Sequence, residues 1–267
     1  MKTAVTLCRV AEASAGPFVF HEDLSIGFAK AAQHGFDAVE LFLPSAQEVT
    51  VAEIKQLQQQ YKLQIAAVGT GAGMVKHGLS LTDADPAIRK KALEFILELV
   101  DFGGQLGAPA ILGSMQGRSS AHVTHETAIG YLAEALKVIS ARAAEFGVPF
   151  IYEPLNRYET NLFNRSADAA AFLETHQLDN VTLLADLFHM NIEEASMEQA
   201  LAENIAHIGH IHFADSNRQA MGFGHSDYKP LLLLLHQLGY AGYLSAEILP
   251  LPTADAAAAQ FIQSTLL

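Results

Sequence analysis

Short apolar segments alternate along the chain with longer segments in which apolar residues recur at helical spacing. The apolar segments predict eight strands, at residues 4–8, 39–43, 64–68, 109–112, 149–152, 182–185, 208–213 and 243–246. The periodic segments predict eight helices, at about residues 24–34, 50–61, 85–103, 129–146, 166–176, 197–203, 228–238 and 254–266. Each strand is therefore followed by a helix that can return the chain to a parallel neighbouring strand.

This alternation predicts an α/β fold, a single (β/α)8 TIM barrel that spans residues 1–267 as one domain. Barrels of this kind commonly contain ~250 residues. An open, doubly wound sheet is the alternative. No Gly-x-Gly-x-x-Gly motif follows a predicted strand, which weakens a dinucleotide-binding interpretation.

Local signals predict several boundaries of helices. Gly35 is placed to end the first helix as a left-handed cap, and Thr50 begins a capping box for the second. Asp85 precedes a proline and should cap the next helix, while Ser166 should cap the fifth. The stretch 69–84, rich in glycine and polar residues, is expected to be a long loop.

The amino-acid composition and the net charge indicate which partners and which cysteine chemistry to expect. Half of the residues are apolar, which is ample for a large core, and the formal net charge is −13. An acidic chain is a poor match for a nucleic acid or an anionic membrane, so we expect neither as a partner. The single cysteine, Cys8, excludes an internal disulfide and is expected to be buried and inert. With no leader or membrane-spanning segment in the sequence, we expect a cytoplasmic protein.

Four side chains of metal-binding type stand at the ends of the last four predicted strands: Glu153, Asp186, His212 and Glu247. They are about one strand–helix unit apart, so they should lie at similar height on successive strands. Adjacent strands are ~4.8 Å apart, which lets all four converge on one ion at the carboxyl end of a barrel. Three carboxylates and one imidazole suit Mn²⁺, Mg²⁺ or Co²⁺ better than a structural zinc site.

Each of these residues also has a structural explanation. Glu153 could form a salt bridge, and Asp186 could cap the turn that follows it. His210, two residues before His212, faces the same side of its strand and is interpreted as a hydrogen-bonded core histidine. Four such residues on four successive units are harder to explain as independent structural features.

Further polar residues follow the same strand ends and are suited to a polyhydroxylated ligand. They are Asn156, Arg157, Glu159, Asn161, His189, Asn217 and Arg218. For Arg157, a surface or interface ion pair is an equally good interpretation.

Four segments of the second half, EPLNRYETN, DLFHMNIEE, GHIHFADSNR and AEILP, resemble the ketose 3-epimerases of the D-tagatose and D-psicose 3-epimerase type. These enzymes belong to the xylose-isomerase-like barrel superfamily. The resemblance covers about residues 150–250. It implies a divalent cation, usually manganese or cobalt, on four ligands: Glu153, Asp186, His212 and Glu247. It also implies a small sugar substrate and a possible homo-oligomer, a dimer or tetramer.

The resemblance also implies roles in catalysis. Glu153 and Glu247 would be the acid/base pair, and Glu159, His189 and Arg218 would hold the O1 and O2 end of a ketose. Removal of a proton next to a carbonyl gives an enediolate, whose charge a cation stabilises. Inversion at C3 requires one base on each face of that carbon.

Several alternatives remain open at this level. Aldose–ketose or hydroxypyruvate isomerases and inosose-type dehydratases could use the same metal site. An abasic-site endonuclease would need a larger ligand set for three zinc ions and a basic DNA-binding face, which makes it less compatible with the charge of −13. A non-catalytic sugar-binding barrel would need a broken ligand set.

The sequence differs from the ketose 3-epimerases at positions that are expected to line the substrate pocket. It contains no tryptophan, so a phenylalanine, Phe42, Phe163 or Phe223, is expected to form the pocket wall. Met221 stands where proline is usual. The loops of the first half that should shape the far end of the pocket are 9–17, 69–76 and 113–118.

Overall fold

Eight parallel strands pair side by side in chain order, and the eighth pairs with the first to close a barrel. This is seen in a computed structural model that describes residues 1–266. The strands are β1 Lys2–Cys8, β2 Ala38–Phe42, β3 Gln64–Gly69, β4 Ala110–Leu112, β5 Phe150–Tyr152, β6 Val181–Asp186, β7 Ile208–His212 and β8 Tyr243–Ala246. Their bounds lie within two residues of the predicted ones. The predicted (β/α)8 barrel is confirmed, and the open-sheet alternative is wrong.

Helices connect the strands on the outside of the barrel. They are α1 Leu24–His34, α2 Val51–Tyr61, α3 Ala72–His77, α4 Pro86–Gln105, α5 His125–Ala144, α6 Ser166–Thr175, α7 Leu187–Glu193, α8 Met197–Asn204, α9 Tyr228–Gln237 and α10 Ala254–Ser264. Within residues 1–266, no helix is long and apolar enough to cross a membrane. Residue 267, the last of the predicted domain range 1–267, lies outside the described residues.

Most of the predicted helix ends are confirmed. Gly35 adopts a left-handed backbone, with φ at 87°, and ends α1. The side chain of Thr50 accepts the N–H of Glu53, whose carboxylate reaches back, so the capping box is complete. The carboxylate of Asp85 accepts the N–H of Ala87 at the start of α4.

Two local predictions are wrong, and one short helix was not predicted. The stretch 69–84 contains α3, and the segment after β6 contains α7; both helices are too short, at six and seven residues, to show a helical period in the sequence. Ser166 is the first residue of α6 rather than its cap. Its backbone N–H donates to the carboxylate of Glu194, at 2.8 Å, so a side chain distant in sequence satisfies this helix end.

Small and aliphatic side chains fill the inside of the barrel in layers. Ala67, Ile111, Ile151 and Leu184 form one buried cluster contributed by four successive strands. Cys8 is buried beside Val10, as predicted, and burial raises the pKa of its thiol to about 11. The thiol of Cys8 therefore stays protonated near neutral pH. The buried cluster of β3 to β6 supports the side chains at the carboxyl ends of the strands.

Candidate metal centre and active site

Four side chains at the carboxyl ends of β5 to β8 converge on one point, as their spacing predicted. Glu153, Asp186, His212 and Glu247 each present one donor atom, and these atoms lie within 4.8 Å of one another. His212 Nδ1 is 3.4 Å from Asp186 Oδ2 and from Glu247 Oε2, and 3.8 Å from Glu153 Oε1. The neighbouring strands therefore bring three carboxylates and one imidazole nitrogen to a single centre.

Two buried atoms of this centre have no hydrogen-bond partner in the described part of the chain, Glu153 Oε1 and His212 Nδ1. An unpaired buried polar group costs ~1–3 kcal/mol, so it is rarely left without a ligand. Both atoms belong to the set of four donors. Oxygen and imidazole donors at this spacing fit a divalent cation.

The two glutamates of the centre sit in different electrostatic surroundings. Burial raises the pKa of Glu153 well above its ordinary value, with the negative charges of Glu247 and Asp186 adding to the rise against the opposing charge of His212. Burial also acts on Glu247, but the positive charges of His212 and Arg218 outweigh it and lower its pKa. The surroundings therefore shift the pKa values of the two carboxyl groups in opposite directions.

Arg218 lies on the loop between β7 and α9 and points into the centre. Its guanidinium donates to Glu247 and lies 3.4 Å from Asp186 Oδ2. It also stacks over the ring of Phe188, at 4.8 Å from the ring centre. The backbone of Arg218 is left-handed, with φ at 58°, which is uncommon for a residue with a side chain and is often found at functional sites.

The loop that carries Arg218 is folded around one buried carboxylate, that of Asp215. Its oxygens accept the backbone N–H groups of Ser216, Gly222, Gly224 and Ser226, at 2.6 to 3.0 Å. These hydrogen bonds outweigh the effect of burial and lower the pKa of Asp215. Main-chain hydrogen bonds to Asp215 therefore hold the loop that positions Arg218.

His189 reaches the centre from α7. Asp186 begins this helix by accepting the N–H of Phe188, in agreement with the capping interpretation, and its carboxylate also lies in the group of four converging side chains. The side-chain amide of Asn156 donates to His189 Nδ1 at 2.7 Å. The other nitrogen, Nε2, is then the protonated one, and it lies 3.8 Å from Glu153 Oε1.

The remaining predicted polar residues divide between the cavity and the surrounding loops. Glu159 lies 3.8 Å from His189 Nδ1 and lines the cavity. Arg157 is exposed and pairs with Glu193 at 2.9 Å, in agreement with the ion-pair interpretation. The other two, Asn161 and Asn217, hold loops through backbone groups of Ser119 and Phe223.

One buried residue next to the centre was not predicted: Glu40 on β2. Its Oε2 accepts from His210 Nε2 at 2.8 Å and from Ser245 Oγ at 2.9 Å, and its Oε1 from His212 Nε2 at 3.2 Å. His210 is thus the hydrogen-bonded core histidine that was expected. Burial opposes ionisation of Glu40, but the two histidines hold the pKa of this carboxyl group well below its usual range. A single acidic residue inside the apolar segment AVELF was the sequence signal.

The centre opens into a cavity of about 520 Å³. Residues of the loops 9–17, 69–76 and 113–118 line the cavity, and Phe42 forms part of the wall together with Phe18. Phe163 packs in the core against Phe172 instead. Among the described lining residues, Arg218 is the only arginine or lysine. The cavity therefore has one polar, charged end and one largely apolar end.

Comparisons with known proteins point to one group of relatives. The family model described as xylose isomerase-like TIM barrel matches residues 28–265. An L-ribulose 3-epimerase of Methylomonas sp. is 30% identical over 223 residues, which cover 82% of this chain and 76% of the relative. A 3-dehydro-D-guloside 4-epimerase of Escherichia coli is 35% identical over 162 residues, covering 59% and 62%. A solved structure of an L-ribulose 3-epimerase superposes with a TM-score of 0.82 at 25% identity, over 98% of this chain and 92% of that one.

Proposed function

Because the chain belongs to the xylose isomerase-like TIM barrel family, we propose that it is a divalent-metal-dependent sugar epimerase that inverts C3 of a free ketose. The observation that carries this proposal is the convergence of Glu153 and Glu247 with Asp186 and His212, within 4.8 Å. The same family membership supports one barrel domain over residues 1–267.

The proposed ligands of the cation are the four converging side chains, with Mn²⁺ as the first choice and Co²⁺ or Mg²⁺ as alternatives. When bound, such a cation supplies positive charge that stabilises the negative charge developing on substrate oxygens as a proton leaves the neighbouring carbon. The two unpartnered atoms, Glu153 Oε1 and His212 Nδ1, support this assignment.

Glu153 and Glu247 are the proposed acid/base pair. They follow β5 and β8, which are separated by two other strands, so their carboxyl groups reach the centre from different sides. One carboxylate takes the proton from C3 and the other delivers a proton to the opposite face of the same carbon. Glu159, His189 and Arg218 then bind the O1 and O2 end of the ketose, with Arg218 and His189 Nε2 as hydrogen-bond donors.

The charge around the cavity supports a substrate without phosphate. The apolar end contains Pro17, Phe18 and Val75, and the exposed carboxylate of Glu12 lies at the same end. A phosphate there would meet no arginine or lysine among the described lining residues and would be repelled by Glu12. An uncharged sugar can pack its carbon face against these apolar groups.

The decisive experiment measures at which carbon of the sugar deuterium from D₂O is incorporated. The protein, stripped of metal and reloaded with Mn²⁺, is incubated in D₂O with L-ribulose, D-psicose, D-tagatose and D-fructose, and products are identified by NMR and chromatography. Deuterium at C3 together with the C3 epimer is the expected result. Label at C1 or C2 with formation of an aldose would favour the isomerase alternative instead. No exchange into any ketose would refute the proposal.

A matched panel of ketose 6-phosphates tests the substrate class. A phosphate would be repelled by Glu12 and would have no basic partner, which weakens binding of the transition state. We therefore expect kcat/KM for a phosphorylated ketose to be at least ~10-fold lower than for the free sugar. Equal or higher kcat/KM for a phosphorylated ketose would contradict the assignment of a free sugar.

A further inference from the structure

We propose that Glu40 is a positioning residue of the metal centre, which holds His212 through Nε2 so that Nδ1 stays directed at the three carboxylates and binds the cation tightly. The proposal rests on the proposed metal site but not on which sugar is converted.

The hydrogen bonds around Glu40 allow its carboxylate only one orientation. An ionised carboxylate only accepts, and here it meets three donors: the Nε2 atoms of His210 and His212 and the hydroxyl of Ser245. Both oxygens are used, so the carboxylate cannot turn without losing a partner. His212 therefore keeps its Nε2 proton on the Glu40 side, and its unpartnered Nδ1 faces the centre.

The backbone places Glu40 for this role. Val39 and Leu41 pack with helix residues outside the barrel, so the alternation of side chains along β2 directs Glu40 to the inside. From β2 the side chain reaches across the inside of the barrel to β7 and β8. A histidine ligand whose second nitrogen donates to a carboxylate is oriented and made more basic by that contact.

Packing alone gives no reason for an acidic residue here. Glu40 is only 5% exposed, and moving an ionised carboxylate out of water costs several kcal/mol. A leucine or methionine would fill similar space without that cost. The buried charge is explained by what it does to its neighbour, the imidazole of His212.

The test compares Glu40→Gln with Ser245→Ala as a matched control, because both change a partner in the same hydrogen-bond network. Mn²⁺ affinity is measured by isothermal titration calorimetry on metal-free protein. The amide presents an acceptor oxygen to one side only, so it can hold His210 or His212 but not both. We expect Glu40→Gln to weaken Mn²⁺ binding by ~10–100-fold, the range typical of such partners. Ser245→Ala, which keeps both histidine contacts, should stay within about threefold by the same reasoning.

A second readout separates positioning from a general loss of negative charge. In the wild type, both imidazole Nε2–H protons are held by a carboxylate and should give downfield proton resonances, with and without the diamagnetic ion Mg²⁺. Glu40→Gln should lose at least one of these resonances. Glu40→Asp keeps the charge on a shorter side chain and should also weaken Mn²⁺ binding. It replaces Glu40→Gln in this test if the glutamine variant does not fold.

The outcomes are distinct. Mn²⁺ affinity within threefold of the wild type in the folded variant, or both imidazole resonances retained, would overturn the positioning role. A wild type that binds Mn²⁺ with these properties but exchanges no ketose proton would overturn the proposed function alone.

Discussion

At the scale of single residues, two identical side chains enter the centre in unlike environments. Glu153 is buried among other acids, whereas Glu247 is hydrogen-bonded to Arg218 and lies close to His212. Pairs of carboxyl groups whose pKa values are pushed apart are typical of sites that donate and accept protons in one cycle. Each glutamate can therefore be tested separately.

Glu247→Gln is expected to abolish measurable turnover while leaving the barrel folded. The amide keeps a hydrogen-bond acceptor for Arg218 but cannot take or return a proton, and removal of such a group costs ~10²–10⁴-fold in rate. Deuterium incorporation at C3 measures the effect, and circular dichroism reports the fold. Glu134→Gln, at an exposed position on α5, is the matched control and should retain full activity. Wild-type rates in Glu247→Gln would remove Glu247 from the mechanism.

Gly113→Ala is expected to lower kcat by ~10–100-fold, because misplacing a reacting group by an ångström has about this effect. Gly113 follows β4, and a Cβ there would lie 2.5 Å from Glu153 Oε2, so the carboxylate must move. The Gly113→Ala variant should still fold, because the displaced atom lies at the end of the Glu153 side chain. Steady-state kinetics and thermal unfolding measure the two effects.

The control for that variant is Gly130→Ala on the exposed face of α5, where a Cβ meets nothing within 4 Å. It should leave kinetics unchanged and stabilise the protein by ~0.5–1 kcal/mol, because alanine is favoured over glycine in a helix. Equal kinetics in both alanine variants would show that the contact with Glu153 does not matter.

At the scale of elements, the loop between β7 and α9 depends on Asp215. Asp215→Asn places an N–H₂ group against backbone donors and should destabilise the protein by ~1–3 kcal/mol near neutral pH. The folded pKa of Asp215 is lowered below its unfolded value of about 3.9. Its stabilising contribution is therefore complete above that value and is lost as the pH falls through the folded pKa.

The difference in unfolding free energy between the wild type and Asp215→Asn should accordingly be constant from about pH 6 to pH 5 and shrink as the pH is lowered further toward 2. Urea unfolding across this range measures it. Asp227→Asn, in the same loop but with no side-chain cap hydrogen bond, is the control and should show a much smaller change. A constant difference across the range would exclude the carboxylate of Asp215 as its source.

Elements with a clear repeat were predictable, and those held by distant contacts were not. The long helix α4 and the strands carry enough apolar residues to show their period. The short helices α3 and α7 do not, and the start of α6 is held by Glu194 rather than by a local cap. Tertiary partners decide such segments, and a single sequence does not display them.

The same distinction applies to the site. Residues at strand ends, such as Asp186 and His212, were identifiable because strand order fixes where they meet. Glu40 was not, because its partners His210 and Ser245 lie 170 and 205 residues further along the chain. Asp215 was missed for another reason: its role is to fold the loop that carries Arg218, and that requires the backbone path.

At the scale of the whole molecule, the metal-free barrel carries a net charge of −13 and concentrates three carboxylates in one buried centre. A ligand that binds only the folded form stabilises it by ~2.7 kcal/mol at 100 times its Kd. Mn²⁺ at that level should therefore raise Tm by ~5 °C or more. Differential scanning calorimetry measures the shift.

Asp186→Asn is the control for this effect, since it removes one negative charge and replaces one carboxylate oxygen by an NH₂ group without changing the shape of the side chain. Its Tm should respond to Mn²⁺ only at much higher concentrations. An equal shift in the variant and the wild type would mean that the ion stabilises the protein at another place.

The closure of the barrel has a consequence for how the centre comes into being during synthesis. Ser245, on β8, is made 205 residues after Glu40, yet it donates a hydrogen bond to the carboxylate of that residue on β2. We expect a nascent chain without β8 to lack both Glu247 and one of the donors to Glu40, and hence to capture no ion. Metal uptake would then mark a chain in which β8 has been made and paired, and a chain stalled before β8 would be distinguishable by its failure to retain manganese.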